Sequence, residues 1–151
     1  MLAGDIAPEF TALDQHGQPT SLSELLQNGP AVLFFYPKAF TPGCTAQSCH
    51  FRDLDAEFHA VGAQRIGISA DSVDRQAAFD EAHGLGFPLL SDPDRKIAKL
   101  FGVKRPGPLF NRRKTFVIDS EGTILLAVAS EMSMEKHADE ALEALRSRAA
   151  A

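Results

Sequence analysis

The sequence predicts an α/β protein with a mixed β-sheet flanked by helices, and three observations support this. Short apolar runs alternate with longer amphipathic segments, a pattern typical of strands and helices packed in layers. Residues 31–36 form a continuous apolar run that ends at Pro37, as expected for a central strand covered on both faces. Towards the C-terminus, two β-rich runs flank a polar turn at residues 119–122, which predicts an antiparallel hairpin.

The predicted strands are runs of β-branched and aromatic residues bounded by turn residues. Residues 10–13 and 18–20 flank a polar turn at residues 14–17 and predict an N-terminal β-hairpin. Further strands are expected at residues 31–36, 64–69, 88–90, 115–118 and 123–128.

The predicted helices start at a capping residue, and several stop at a glycine. A short helix capped by Ser21 or Ser23 is expected to run towards Gln27. Longer helices are expected at residues 42–60, from Asp71 or Ser72 to residues 83–84, from residues 92–94 to Gly102, and after Ser133.

Composition and charge exclude several classes of protein. The chain has 151 residues, 44% of them hydrophobic and 23% charged, and we expect one domain spanning residues 1–151. The longest apolar run is far too short to cross a bilayer, and the N-terminus lacks a secretion signal, so we expect a cytoplasmic protein with no membrane partner. The net charge of −5 disfavours a nucleic-acid partner. The basic cluster around Arg112 does not change this, because it lacks interleaved aromatic residues on which bases could stack.

The most informative feature of the chain is its only two cysteines, Cys44 and Cys49. A cytosolic location disfavours a structural disulfide, because that compartment keeps thiols reduced. Thr41 is a good helix-capping residue and Pro42 suits the first helical position, so Cys44 falls in the first turn. Free backbone N–H groups and the helix dipole stabilise an anion there, and the thiolate is the nucleophilic form of cysteine. Gly43 leaves room for a small substrate beside the backbone.

The two cysteines are expected to face opposite sides of this helix. Its apolar stripe consists of Phe51, Leu54, Phe58 and Val61. Cys44 lies seven residues before Phe51 and faces the protein, whereas Cys49 lies roughly 160° around the helix from Phe51 and faces outward. Five residues of helix put the two Cα atoms ~8.7 Å apart, but a disulfide needs roughly 4.4–6.8 Å. The cysteines can therefore bond only if the first turns unwind.

Two less specific interpretations of the cysteines stay open at this point. Cysteine is commonly buried and inert, so the two could be unrelated, with one of them in the core. A metal site could use four neighbouring side chains, namely Cys44, Cys49, His50 and His59. Their spacing, however, matches no familiar zinc pattern.

The segment around Cys44 resembles the active-site signature of the peroxiredoxins. The resemblance lies in residues 36–45, which read YPKAFTPGCT, and in residues 51–53, which read FRD. The five-residue cysteine spacing is similar to that of the bacterioferritin comigratory protein, or peroxiredoxin Q, branch. Residues 87–92, 101–103 and 113–119 also resemble that branch, and most of the chain, roughly residues 4–145, fits it.

This resemblance implies a thioredoxin-like fold and the thiol-based reduction of hydrogen peroxide and organic hydroperoxides. Cys44 would be the peroxidatic cysteine, and Cys49 would resolve its sulfenic acid as a disulfide within the same chain. Thioredoxin or a similar dithiol would then reduce that disulfide. The resemblance implies a monomer, and it implies no metal, haem or flavin cofactor.

The resemblance also implies roles for three further residues. Pro37 would shield the sulfur from bulk water, and the Thr41 hydroxyl would contact the peroxide, although the same oxygen could instead cap the helix. Arg113 would lie beside Cys44 and keep it ionised, unless it is an exposed loop cation like its neighbour Arg112. Many members of the branch carry glutamate where this chain has Gln47. This difference is expected to affect the control of the first turn of the helix, but not the chemistry.

Other interpretations use the same residues differently. In the loop at residues 104–111, Leu109 and Phe110 could form an apolar wall of the substrate site or could be ordinary packing residues. A thiol–disulfide oxidoreductase or redox sensor without peroxide turnover is an alternative function, but a Cys-x-x-Cys motif is absent. A binding or holdase protein with vestigial cysteines is a third possibility, and the intact peroxidatic motif argues against it.

Overall fold

The computed structural model describes residues 1–107 and 109–150; Pro108, in the predicted loop, and Ala151 lie outside the described residues. The strands are β1 (Thr11–Leu13), β2 (Pro19–Ser21), β3 (Ala31–Phe35), β4 (Gln64–Ser69), β5 (Leu89–Ser91), β6 (Lys114–Ile118) and β7 (Ile124–Ala129). The helices are α1 (Leu22–Leu26), α2 (Pro42–Asp53), α3 (Asp55–Ala60), α4 (Val73–His83), α5 (Lys96–Leu100) and α6 (Met134–Ala150).

The strands form one mixed sheet in the order β2-β1-β5-β4-β3-β6-β7. At its centre β3 pairs in parallel with β4 and antiparallel with β6, and β4 pairs in parallel with β5. The N-terminal hairpin of β1 and β2 and the C-terminal hairpin of β6 and β7 form the two edges of the sheet. The predicted mixed α/β architecture is therefore confirmed.

The buried side chains form two clusters, one on each face of the sheet. Along β3 they alternate strictly, so that Leu33 and Phe35 belong to one cluster and Val32 and Phe34 to the other. Helices α1 and α5 cover the first face, and α2, α3, α4 and α6 cover the second. We call these the α1/α5 cluster and the α2/α6 cluster; Cys44 belongs to the latter.

The prediction of a single helix over residues 42–60 is wrong, because this segment forms two helices, α2 and α3, which are separated at Leu54. Leu54 has φ −94° and ψ 20°, outside the helical range. The Phe51 carbonyl, which a continuous helix would use for the Asp55 amide, accepts a hydrogen bond of 2.7 Å from Arg65 Nη1 instead. Arg65 Nη2 also bonds the Asp55 carboxylate. A side chain from β4 thus ends α2.

The helix predicted from residues 92–94 also starts later than expected, at Lys96. Arg95 precedes it with φ +59°, a left-handed conformation that interrupts the helix before it can reach back to Asp92. Asp92 still supports α5, because its carboxylate accepts hydrogen bonds from the amide N–H groups of Ile97 and Ala98 at 3.1 and 2.9 Å.

None of the helices in the described part of the chain combines the length and the apolar character that a membrane-spanning helix needs.

Candidate active site

Cys44 lies in the first turn of α2, with its side chain fully buried against the sheet. Thr41 is the N-cap residue in extended conformation, and Pro42 occupies the first helical position, where its missing N–H is not needed. Cys49, on the same helix, is partly exposed. Both cysteines are free thiols. The two thiols therefore occupy unequal environments, one enclosed at the positive end of a helix and one partly exposed.

Arg113 lies directly against the buried sulfur. It precedes β6 and is only 6% exposed, and its Nη2 donates a hydrogen bond of 3.3 Å to Cys44 Sγ. Its Nη1 donates to Gln47 Oε1 at 2.6 Å. The neighbouring Arg112 is exposed. Negative charge that develops on this sulfur during a reaction would therefore be stabilised by a cation where water is excluded.

Gln47, which lies on α2 about one turn after Cys44, holds the guanidinium of Arg113 in place. Its side chain is fully buried, and its oxygen accepts the Arg113 hydrogen bond. Within the described part of the chain its Nε2 finds no hydrogen-bond partner. An amide oxygen accepts a hydrogen bond as a carboxylate oxygen would, but the amide carries no charge. The positive charge of Arg113 is therefore not neutralised by this neighbour.

Two further contacts of Arg113 involve residues that the sequence did not single out for this role. Its backbone N–H donates to Glu131 Oε1 at 2.9 Å, which ties the start of β6 to the segment after β7. A Cβ atom added to Gly43 would lie 3.2 Å from Arg113 Nη2 and 3.4 Å from Met134 Sδ. Glycine at position 43 therefore makes room for the guanidinium and for the first residue of α6.

The Thr41 hydroxyl does not cap the helix. It donates a hydrogen bond of 2.7 Å to the carbonyl oxygen of Lys38. Among the residues described here, no amide of the first turn of α2 donates to it. Because its proton is already used, the oxygen of Thr41 is left to act as an acceptor. The loop at residues 37–40, which begins at the half-buried Pro37, is closed by this bond.

A buried histidine lies behind the site and joins three elements. His137 of α6 bonds Thr115 Oγ1 of β6 and the carbonyl of Ser130 after β7, both at 2.8 Å. Burial lowers the pKa of His137 below its usual value, and the charge of Arg113 acts in the same direction. The carbonyl can only accept, so Nε2 carries the proton and Nδ1 accepts from the threonine. This neutral bridge fixes α6 next to the segment that holds Arg113.

Leu109 and Phe110, which the sequence offered as an apolar wall or as packing residues, lie at the surface. Leu109 and Phe110 are 54% and 58% exposed, so neither is a core packing residue. Lys38, in the loop before Thr41, lies 5.9 Å from the centre of the Phe110 ring. Phe40 in that same loop is also exposed. Apolar surface therefore lies near the residues that flank the cysteine.

The geometry brings together Cys44, Thr41, Gln47 and Arg113 at the start of α2, and leaves Cys49 on the same helix but outside this group. An enclosed cysteine sulfur that accepts a hydrogen bond from a guanidinium suits attack on a small, polarisable electrophile. The environment of Cys49 suits a second thiol that acts after a rearrangement.

Comparisons with known proteins identify the family and the solved structures that this chain is similar to. Residues 3–127 match the family model described as the AhpC/TSA family. The crystal structure of peroxidoxin BcpB from Mycobacterium tuberculosis has a TM-score of 0.95 and 50% sequence identity, with 97% of each chain covered. Peroxiredoxin Q of Xanthomonas campestris has a TM-score of 0.85 and 33% identity, over 93% of this chain and 91% of that one. A chloroplastic peroxiredoxin Q of Sedum lineare is 43% identical over 95% of this chain and 77% of the relative.

Proposed function

This chain is a peroxidase of the AhpC/TSA family, in its peroxiredoxin Q or bacterioferritin comigratory protein branch, with the thioredoxin-like fold of that family, and we propose that it reduces hydrogen peroxide and organic hydroperoxides through Cys44 and Cys49. The observation that carries the proposal is the hydrogen bond from Arg113 to the buried sulfur of Cys44. Such a contact keeps the sulfur nucleophilic and places a cation where the oxygen–oxygen bond must break.

In the first step the Cys44 thiolate attacks one peroxide oxygen. A sulfur–oxygen bond forms while the oxygen–oxygen bond breaks, the other oxygen takes a proton from solvent and leaves as water or alcohol, and Cys44 becomes a sulfenic acid. Arg113 stabilises the negative charge that develops on the leaving oxygen. The Thr41 oxygen accepts a hydrogen bond from the peroxide O–H, since its own proton is held by the Lys38 carbonyl. Pro37 shields this reaction from bulk water.

In the second step Cys49 resolves the Cys44 sulfenic acid. The Cys49 thiolate attacks the oxidised sulfur, a disulfide forms within the chain as the sulfur–oxygen bond breaks, and the hydroxide released takes a proton from solvent to become water. An intact helix keeps the two Cα atoms ~8.7 Å apart, so the first turns of α2 must open. The opening ends before Phe51, whose ring stacks on Phe34 at 4.3 Å and whose carbonyl is held by Arg65.

We propose that thioredoxin or a similar dithiol then reduces the disulfide, in the cytoplasm and with the protein acting as a monomer of one domain. A disulfide between two cysteines of one chain requires no second copy to complete the cycle. Two electrons from the dithiol restore both thiols, and α2 refolds because Cys44 regains its buried place beside Arg113.

The experiment that tests this function couples peroxide consumption to NADPH oxidation through thioredoxin reductase and thioredoxin. The wild-type protein is expected to turn over hydrogen peroxide and an alkyl hydroperoxide continuously. Absence of turnover with thioredoxin and with a small dithiol such as dithiothreitol would refute the proposal. Turnover with the small dithiol alone would instead exclude thioredoxin as the reductant.

Cys49→Ser is expected to consume one equivalent of peroxide and then stop in the thioredoxin assay. The variant keeps the reacting sulfur and Arg113 but has no thiol to form the disulfide that thioredoxin recognises. Mass spectrometry should find a single added oxygen, on Cys44. Sustained thioredoxin-dependent turnover by this variant would show that Cys49 is not the resolving residue.

Oxidation of the wild-type protein by one equivalent of peroxide is expected to remove the helical structure at the start of α2. The amide of Thr45, which donates to the Thr41 carbonyl at 2.9 Å in the reduced protein, should lose its protection from hydrogen exchange. Amides on β4 should keep theirs. Cys49→Ser treated in the same way is the matched control, and full protection of Thr45 in a disulfide-bonded wild type would contradict the unwinding.

A further inference from the structure

We propose that Asp71 and Arg75 are positioning residues for the reaction of Cys44, because together they hold the loop at residues 37–40 and so set the place of the Thr41 hydroxyl. We call the two side chains the loop clamp. Asp71 lies between β4 and α4, and Arg75 lies in the first turn of α4. This inference rests on the proposed peroxidase function and adds two residues outside the group that surrounds the sulfur.

The loop clamp closes around a single residue of the loop, Ala39. The Ala39 N–H donates to Asp71 Oδ2 at 2.7 Å, and the Ala39 carbonyl accepts from Arg75 Nη2 at 3.4 Å. Arg75 Nε and Asp71 Oδ1 lie 3.3 Å apart, which completes a ring of charge-assisted contacts. Both polar backbone groups of Ala39, itself fully buried, are thus satisfied by one ion pair.

Phe40, the next residue, has the backbone conformation that most needs such support. Its φ is +68°, a left-handed value that a bulky side chain rarely adopts. The Arg75 guanidinium lies 5.1 Å from the centre of the Phe40 ring, and the Phe79 ring lies 5.2 Å from it at an angle of 62°. The same arginine therefore holds the backbone before Phe40 and the side chain of Phe40 itself.

The start of the loop is tied to the same part of the molecule. Tyr36 donates to Gln76 Oε1 at 2.5 Å, and burial raises the pKa of Tyr36, so it remains a donor. Gln76 Nε2 donates to Ser69 Oγ at 3.0 Å, and Ser69 Oγ donates to Asp71 Oδ2 at 2.7 Å. One buried chain of hydrogen bonds thus connects the residue before Pro37 with the loop clamp.

These contacts matter for catalysis because Thr41 follows Phe40 directly. A left-handed residue at position 40 turns the chain so that the Thr41 hydroxyl can reach the Lys38 carbonyl. If the loop relaxes, the acceptor for the peroxide proton moves, while Arg113 and Cys44 keep their contact. The contacts come from β4 and α4 rather than from α2, so they also persist when α2 unwinds.

The test measures two reaction rates of the Cys44 sulfur in the variants Arg75→Gln and Asp71→Asn. The first is the rate of oxidation by hydrogen peroxide, measured in competition with a haem peroxidase. The second is the rate of alkylation by monobromobimane, measured in the Cys49→Ser background. Alkylation needs the thiolate but not Thr41. We expect peroxide oxidation to fall about tenfold or more, since a misplacement of about 1 Å can cost a hundredfold, and alkylation to keep its rate. Arg75→Lys, which preserves the charge, should restore part of the peroxide rate.

Asp74→Asn is the matched control, because Asp74 is an exposed acid in the first turn of the same helix. Peroxide rates of the loop-clamp variants equal to that of Asp74→Asn would overturn the inference. A rise in alkylation that accompanies the fall in peroxide oxidation would also overturn it, since it would indicate general loosening around the buried thiol. A wild-type protein that fails to react with peroxide would refute the proposed function, whereas unchanged variants of an active protein refute only the loop clamp.

Discussion

Cys44→Ser is expected to abolish reaction with peroxide while preserving the fold. Serine matches cysteine in shape and can keep a hydrogen bond to Arg113, so the fully buried site should not collapse. Its hydroxyl is not ionised near neutral pH and cannot replace the thiolate as nucleophile. Peroxide remaining after incubation with a stoichiometric excess of the protein measures the loss directly, without any reductant.

The circular dichroism spectrum of Cys44→Ser should match that of the reduced wild type, and Cys49→Ser provides the comparison in which the other thiol is removed. Peroxide consumption by Cys44→Ser above the rate of buffer would exclude Cys44 as the reacting residue. In that case the partly exposed Cys49 would be the only thiol left to react.

The second large effect is expected from Arg113→Lys, with a peroxide rate about 10- to 100-fold below that of the wild type. Arginine donates to the Cys44 sulfur and to Gln47 at the same time, and lysine cannot reproduce this planar fork. Losing one hydrogen bond to a charged group costs about 1.5–3 kcal/mol, and each 1.36 kcal/mol on the barrier is about tenfold in rate. Stopped-flow or competition kinetics of Cys44 oxidation measure the change.

Arg112→Lys is the matched control for this prediction, because it makes the same substitution at the adjacent, exposed position. Its rate should equal that of the wild type. Gln47→Leu should fall between the two, since it removes the acceptor that orients the guanidinium but leaves the cation beside the sulfur. Equal rates for Arg113→Lys and Arg112→Lys would show that the contact with Cys44 does not contribute to the reaction.

Much of the fold follows from local sequence patterns. The strand β3 is continuously apolar because both of its faces are buried, and the turn at residues 119–122 joins β6 to β7 as its composition indicates. The break at Leu54 has no such local signal. It depends on Arg65, whose side chain reaches α2 from another strand, so the apolar stripe of residues 51–61 looks continuous in the sequence although the helix is not.

The candidate site divides in the same way. The positions of Thr41 and Cys44 at the start of α2 could be predicted, because capping and the first-turn proline are local rules. The contact of Glu131 with the Arg113 backbone could not be predicted, since it joins segments that meet only in the folded sheet. The left-handed Phe40 gives no sign in the sequence either, because glycine is the residue that usually marks such a conformation and here tertiary contacts impose it.

The division of the buried side chains between two faces separates the helix that would open in the proposed cycle from the cluster on the other side of the sheet. In the part of the chain that the structure describes, the α1/α5 cluster contains no residue of α2, and neither does the ladder of hydrogen bonds through β3, β4 and β6. Opening the first turns of α2 would therefore remove packing contacts from the α2/α6 cluster only. In the proposed cycle of oxidation and reduction, the α1/α5 cluster would keep the molecule folded while the start of α2 opens and closes.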